Sequence, residues 1–189
     1  MNTMLAAQMY TLREFLQTPE GIEKALEKVR AIGYEAVQMS AWKRIDPKLL
    51  RKMADQNGLE ICATHVGFAD IVEHTEQTIE EHQIYGTQYI GLGAMPEEFR
   101  SSAEGMIAFA EAIGPAAQKI HDAGLTLIYH NHNFEMAKCI LWSKISVKAI
   151  PLRVWPLAIA IFSIWGCVKK CLTNKPARHI IPTSESERL

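Results

Sequence analysis

The chain has 189 residues, 48% of them hydrophobic, which suits one ordinary domain with a core of its own. Its formal charge of −1 conceals two unlike parts: residues 1–136 hold 11 Lys/Arg against 19 Asp/Glu, and residues 137–189 hold 9 against 2. The acidic first part argues against a general nucleic-acid surface, and its single thiol, Cys62, gives no disulfide framework. Met1 to Tyr10 shows no basic stretch followed by a long apolar run, so no signal peptide is expected and the expected location is cytoplasmic.

Leu5–Tyr10 reads as a short apolar strand ending in Gln8, Tyr10, Thr11 and Arg13. Thr18-Pro19 then opens a helix, with Thr18 as N-cap, a stripe of Ile22, Ala25, Leu26, Val29 and Ile32, and Gly33 as its stop. Glu35–Met39 is a second strand. Asp46-Pro47 caps the next helix, which should bury Leu49, Leu50 and Met53 before stopping at Asn57-Gly58. Glu60–Thr64 is a third strand with His65 just beyond its end. Residues 70–85 read as one helix ending at Gly86, and Tyr89–Leu92 as a fourth strand. Ser101 or Ser102 opens a long helix to Ala123, with a kink or break expected near Gly114-Pro115. Leu125–His130 is the fifth strand. Strands alternating with helices at this spacing imply βαβ units and a parallel sheet. Right-handed crossovers then bring every strand's C-terminal end to the same side, so His65, His130, His132 and the residues after the first strand converge on one rim.

The chemistry concentrates in Leu125–Glu135. Its first half is apolar and its second half is Tyr129, His130, Asn131, His132, Asn133 and Glu135. Period two puts Ile128, His130 and His132 on one face and Tyr129 and Asn131 on the other. Two readings stay open: a histidine pair that holds a divalent metal with a carboxylate three residues on, or a histidine-rich loop satisfied by hydrogen bonds. Elsewhere, His74, His82 and His121 fall on charged helix faces and read as solvated. Trp42 either stacks on a ligand or covers the rim. Gly91-Leu-Gly93 is too short a glycine signal for phosphate binding.

Three strings, Gln8-Met-Tyr-Thr-Leu-Arg13, Ala63-Thr-His-Val-Gly67 and Tyr129-His-Asn-His-Asn-Phe-Glu135, together resemble the sugar phosphate isomerase/epimerase family over residues from about 4 to 136. The resemblance implies a xylose-isomerase-like (β/α)₈ TIM barrel with a divalent metal (Mn, Mg, Co or Zn) at its C-terminal face. It implies a small-molecule sugar or keto-sugar substrate and proton transfer next to a carbonyl, by isomerisation or epimerisation, or by a keto-sugar or inosose dehydratase reaction. Carried onto this chain, it makes His65 and Glu135 catalytic and His130, His132 and Glu135 metal ligands. Gln8, Tyr10, Trp42 and Asn131 become substrate-binding. Many relatives have Glu-Asn-His where this chain has His130-Asn131-His132, which leaves open which group touches metal.

A barrel of this kind takes about 250 residues, and five strands are used by residue 136. The expected fold is therefore α/β, an incomplete TIM barrel of about five βα units (1–136) followed by a non-barrel tail (137–189). Residues 137–189 lose the helix–Gly–strand rhythm, and we read them as a non-homologous tail, from a frame shift or gene-model error, on a truncated barrel of doubtful activity. Residues 154–168 are apolar, yet fifteen helical residues span about 22 Å against about 30 Å of hydrocarbon, so membrane contact through 150–168 is not favoured. A membrane- or partner-tethered half barrel without activity is the non-enzymatic alternative. An open five-strand sheet would keep two unpaired edges, inviting self-association, and would expose an apolar inner face.

Overall fold

A computed structural model of the chain describes residues 5–132; Glu135, the tail 137–189 and the 150–168 segment lie outside the described residues. Five strands, β1 (Ala6–Gln8), β2 (Ala36–Met39), β3 (Glu60–Val66), β4 (Tyr89–Leu92) and β5 (Thr126–Tyr129), form one sheet in the order β1-β2-β3-β4-β5. Every neighbouring pair is parallel. Strand order that advances without reversal, joined by right-handed crossovers, is how barrel staves accumulate; a doubly wound sheet reverses direction at a switch point.

The helices are α1 (Pro19–Ile32), α2 (Pro47–Gln56), α3 (Phe68–Glu73), α4 (Thr75–Tyr85) and α5 (Ala103–Asp122). Their starts are written locally. Thr18 Oγ1 accepts from Gly21 N at 3.1 Å, Asp46 Oδ1 from Lys48 N at 2.8 Å, and Ser102 Oγ from Gly105 N at 3.1 Å. Gly33 (φ 112°) and Gly86 (φ 72°) end α1 and α4 in the left-handed region that favours glycine. Among the described residues, no helix is long and apolar enough to cross a membrane.

The core lies between sheet and helices in two clusters. One gathers Val37, Met39 and Ile61 with Ile22, Leu26 and Leu50. The other gathers Val66, Ile90, Leu92 and Leu127 with Ile71, Phe109 and Ile113. Side chains alternate along a strand, and the register slip between Val37–Ile61 and Gln38–Ala63 resets that alternation in β3, so the opposite face carries Gln38, Ala63, His65, Gly91 and Ile128. Its C-terminal end is therefore built of amide, imidazole and bare glycine backbone, beside the apolar Ala63 and Ile128. Tyr89, at the other end of that face, is 45% exposed.

Several local expectations are corrected. The first strand stops at Gln8, because Gln8 Oε1 accepts from Tyr10 N at 3.1 Å and starts a 3₁₀ turn over Met9–Phe15. Residues 70–85 are split between two helices. The backbone leaves helical geometry at His74 (φ −125°, ψ 40°), while the Thr75 hydroxyl donates to Ile71 O at 2.7 Å and that of Thr78 to Asp70 O at 3.0 Å. α5 runs unbroken through Pro115, whose exposed position leaves the carbonyl it cannot serve open to water. Ile32, in the last turn of α1, is 74% exposed, and Leu49 is 37% exposed. His65 lies inside β3 and not beyond it.

Candidate active site at the C-terminal end of the sheet

His65 sits opposite Gly91 in the β3–β4 register. Its ring is held from the β2 side: Gln38 Nε2 lies 2.7 Å from His65 Nε2, and Ser40 Oγ lies 3.1 Å from His65 Nδ1. An amide nitrogen can only donate, so in this arrangement Nε2 is the acceptor and Nδ1 carries the hydrogen that goes to Ser40. On the other side the ring of His130 stands edge-on at 5.1 Å between centroids, with His132 4.8 Å beyond it. His130 reaches this place because its backbone N–H continues the ladder one step past β5, donating to Leu92 O at 3.0 Å. Burial, and secondarily the neighbouring His130 and His132, hold the His65 imidazole below the ordinary histidine range. The convergence expected of the parallel topology is therefore present for all three histidines.

The strand beneath the site is fixed by a histidine that the sequence reading placed in solvent. His82 of α4 is fully buried. Its Nδ1–H donates to Thr78 O at 2.6 Å and its Nε2 accepts from Thr64 Oγ1, the residue before His65. Burial pushes its pKa down to about 4, against the pull of the Thr78 carbonyl and with Arg44 adding to the depression. Arg44, after β2, ties this region together by bonding Asp70 at 2.9 Å and Glu81 at 2.5 Å.

The other candidates are spread around the rim. Gln8 pairs with Gln38 in the β1–β2 register, with its carbonyl engaged by Tyr10 N. Tyr10 is half exposed and lies under the Arg13 guanidinium, 4.8 Å from ring centroid to Cζ. Trp42 follows Ala41, a non-glycine residue at φ 54°, and packs against both core clusters. Its indole Nε1 is buried without a hydrogen-bond partner among the described residues. Asn131 is exposed beside His130. Sequence reasoning missed Gln38 and Ser40. Their signal was the same one applied to His130 and His132: polar residues at i, i+2 closing an apolar strand.

His130 and His132 bring two imidazoles close enough to serve one cation, a donor type suited to zinc and other divalent metals. Among the described residues, no group of three or more His, Cys, Asp or Glu has a metal-holding arrangement. The two rings fit such an ion in donor chemistry and need a third ligand from elsewhere.

No protein-family model matches the sequence, and no curated protein does. Solved structures do share the fold. A sugar phosphate isomerase/epimerase from Parabacteroides distasonis ATCC 8503 aligns with a TM-score of 0.56 at 20% identity, over 68% of this chain and 55% of that one. The probable 3-DHS dehydratase AsbF of Bacillus anthracis aligns at 0.52 and 12%, over 69% and 53%. The IolI protein with a bound zinc atom aligns at 0.50 and 10%, over 67% and 51%. The chain spans about half the length of the solved structures it matches. At these identities the likeness is one of fold: five parallel βα units arranged as in xylose-isomerase-like TIM barrels.

Proposed function

We propose that the rim formed by β2, β3 and β5 binds an oxygen-rich small molecule, a sugar or keto-sugar, and that a proton next to its carbonyl is moved there. The observation that carries this reading is the meeting of His65 and His130, 5.1 Å apart, at the C-terminal end of a parallel sheet, where α/β barrels keep their reactive groups. The fold neighbours named as an isomerase/epimerase and a dehydratase support the same chemistry. Gln8, Tyr10, Trp42 and Asn131 would line the substrate. Glu135 would take the proton. His65, with both ring nitrogens engaged by Gln38 and Ser40, shapes the wall of the site. His130 and His132, with Glu135, would hold a divalent cation, Mn, Mg, Co or Zn, and that ion when bound supplies polarisation of the carbonyl.

Isomerisation, epimerisation and dehydration all begin with the same abstraction, so one experiment covers them. The purified full chain is incubated in D₂O with D-fructose, D-tagatose or D-sorbose, with and without Mn²⁺, and deuterium at the carbon next to the carbonyl is followed by NMR. Incorporation with at least one sugar is expected. Loss of water from the sugar in the same spectra identifies a dehydratase. No exchange with any sugar in either condition overturns the reading.

A further inference from the structure

We propose that Gln38 reads a substrate hydroxyl through its carbonyl oxygen, and that His65 is the positioning residue that aims it; this rests on the sugar reading above. The geometry is a relay between β2 and β3 on one face of the sheet. Gln38 Nε2 donates to His65 Nε2, and His65 Nδ1–H donates to Ser40 Oγ, which is buried. An amide held by its nitrogen has its oxygen turned away from the imidazole. Among the described residues, the Gln38 side chain makes no second hydrogen bond, so that oxygen is left as an acceptor on the half-buried face. Gln8 stands beside it in register with its own carbonyl already used by Tyr10 N, which leaves an amide N–H₂. Adjacent acceptor and donor groups match neighbouring oxygens of a polyol, where a hydroxyl both gives and takes a hydrogen bond.

A lone carbonyl acceptor selects for something that donates. It favours a hydroxyl and repels a phosphate oxygen or a carboxylate, so the part of the ligand that meets Gln38 is an unphosphorylated, hydroxylated carbon. The reverse relay, with Ser40 donating to Nδ1 and His65 Nε2–H donating to the amide oxygen, would present an N–H₂ and select for the opposite chemistry. The two relays differ in one observable, the tautomer of His65.

The test uses the full chain labelled with ¹⁵N-histidine. Long-range ¹H–¹⁵N correlations, with the His65 signals assigned by their loss in His65→Gln, report which ring nitrogen carries the hydrogen. Binding of D-fructose, D-tagatose and D-sorbose is measured by saturation-transfer NMR on the wild type, Gln38→Met and Gln38→Glu, each checked for folding by circular dichroism. We expect the Nδ1–H form in the wild type and a shift of the hydrogen to Nε2 in Gln38→Glu, whose carboxylate accepts. Sugar binding should be weaker by about tenfold in Gln38→Met, the effect of one well-placed hydrogen bond. A wild type in the Nε2–H form overturns the inference, whatever the variants do. A wild type that binds sugar no more tightly than Gln38→Met overturns it and leaves the sugar reading standing. A wild type in the Nδ1–H form that binds none of the sugars overturns the sugar reading, and Gln38's part falls with it.

Discussion

Gly91 and His65 face each other across the β3–β4 ladder with no room for a side chain between them. A Cβ on Gly91 would lie 2.8 Å from His65 Cδ2 and 2.3 Å from the carbonyl oxygen of Thr64. The glycine's role in Gly91-Leu-Gly93 is thus to let the imidazole lie against backbone, which is unrelated to phosphate. Gly93 is less demanding, since its Cβ would meet His65 at an ordinary 3.6 Å. Gly91→Ala should therefore cost about 2 kcal/mol, in the range of overpacked cores, and should move the His65 ring off Gln38. Urea denaturation gives the first quantity and the His65 ¹⁵N shifts the second. An unchanged urea midpoint with unmoved His65 signals would show that the two strands separate freely here.

His82 sets an acid limit on the fold. Its pKa in the folded chain is about 4, below the ordinary value of 6.5. The unfolded chain therefore takes up the proton first as pH falls. The stability is fully present above pH 6.5 and declines toward pH 4, by about 1.4 kcal/mol per unit and about 3 kcal/mol in all. Gln in place of His82 can still bond Thr64 or Thr78 but cannot titrate. Urea midpoints at pH 7, 5.5 and 4.5 should show a steeper fall for the wild type than for His82→Gln. Parallel curves would mean that the imidazole is not held neutral in the core.

The contrast between what was legible and what was not follows from the range of the interactions. Thr18-Pro19, Asp46-Pro47 and Ser102 act on amides two or three residues away, so the starts of α1, α2 and α5 stand in the sequence itself. The meeting of His65 and His130 was legible as well, because parallel βα units leave strand ends nowhere else to go. His82 was not. The buried positions of α4 are Thr75, Thr78, Glu81, His82 and Tyr85, polar by type, and they are satisfied by partners as distant as Thr64 and Arg44. No periodicity of apolar residues marks such a helix face. Gln38 escaped notice for a related reason: its partner His65 is 27 residues away and only the β2–β3 register joins them.

Trp42 gives a test of an imperfection in the packing. Its indole sits between the two core clusters while its N–H has no partner among the described residues. An unsatisfied buried donor costs about 1–3 kcal/mol, so Trp42→Phe loses ring area and sheds that penalty together. Its stability should stay within about 1 kcal/mol of the wild type, whereas Trp42→Ala should lose about 3 kcal/mol. Chemical denaturation distinguishes them. A Phe variant as unstable as the Ala variant would mean that the indole N–H is in fact bonded, and that no spare donor is left there for a ligand.

Metal binding is the prediction on which the proposed carbonyl chemistry depends most directly. His130 and His132 are two residues apart, and their rings lie 4.8 Å from each other, so a single cation can draw a nitrogen from each with only small rotations. The full chain, dialysed against Zn²⁺ or Mn²⁺ and then against metal-free buffer, should retain about one ion per chain by atomic emission. His130→Ala, His132→Ala and Glu135→Gln should each weaken retention by about tenfold or more, the scale set by losing even an outer partner of a bound metal. His121→Ala, on the exposed face of α5, should leave it unchanged. Imidazole must shed its proton to bind, so retention should also weaken as the pH is lowered. Equal retention in all four variants would remove His130 and His132 as ligands, leaving them as the hydrogen-bonded loop that was the other reading of the same pattern.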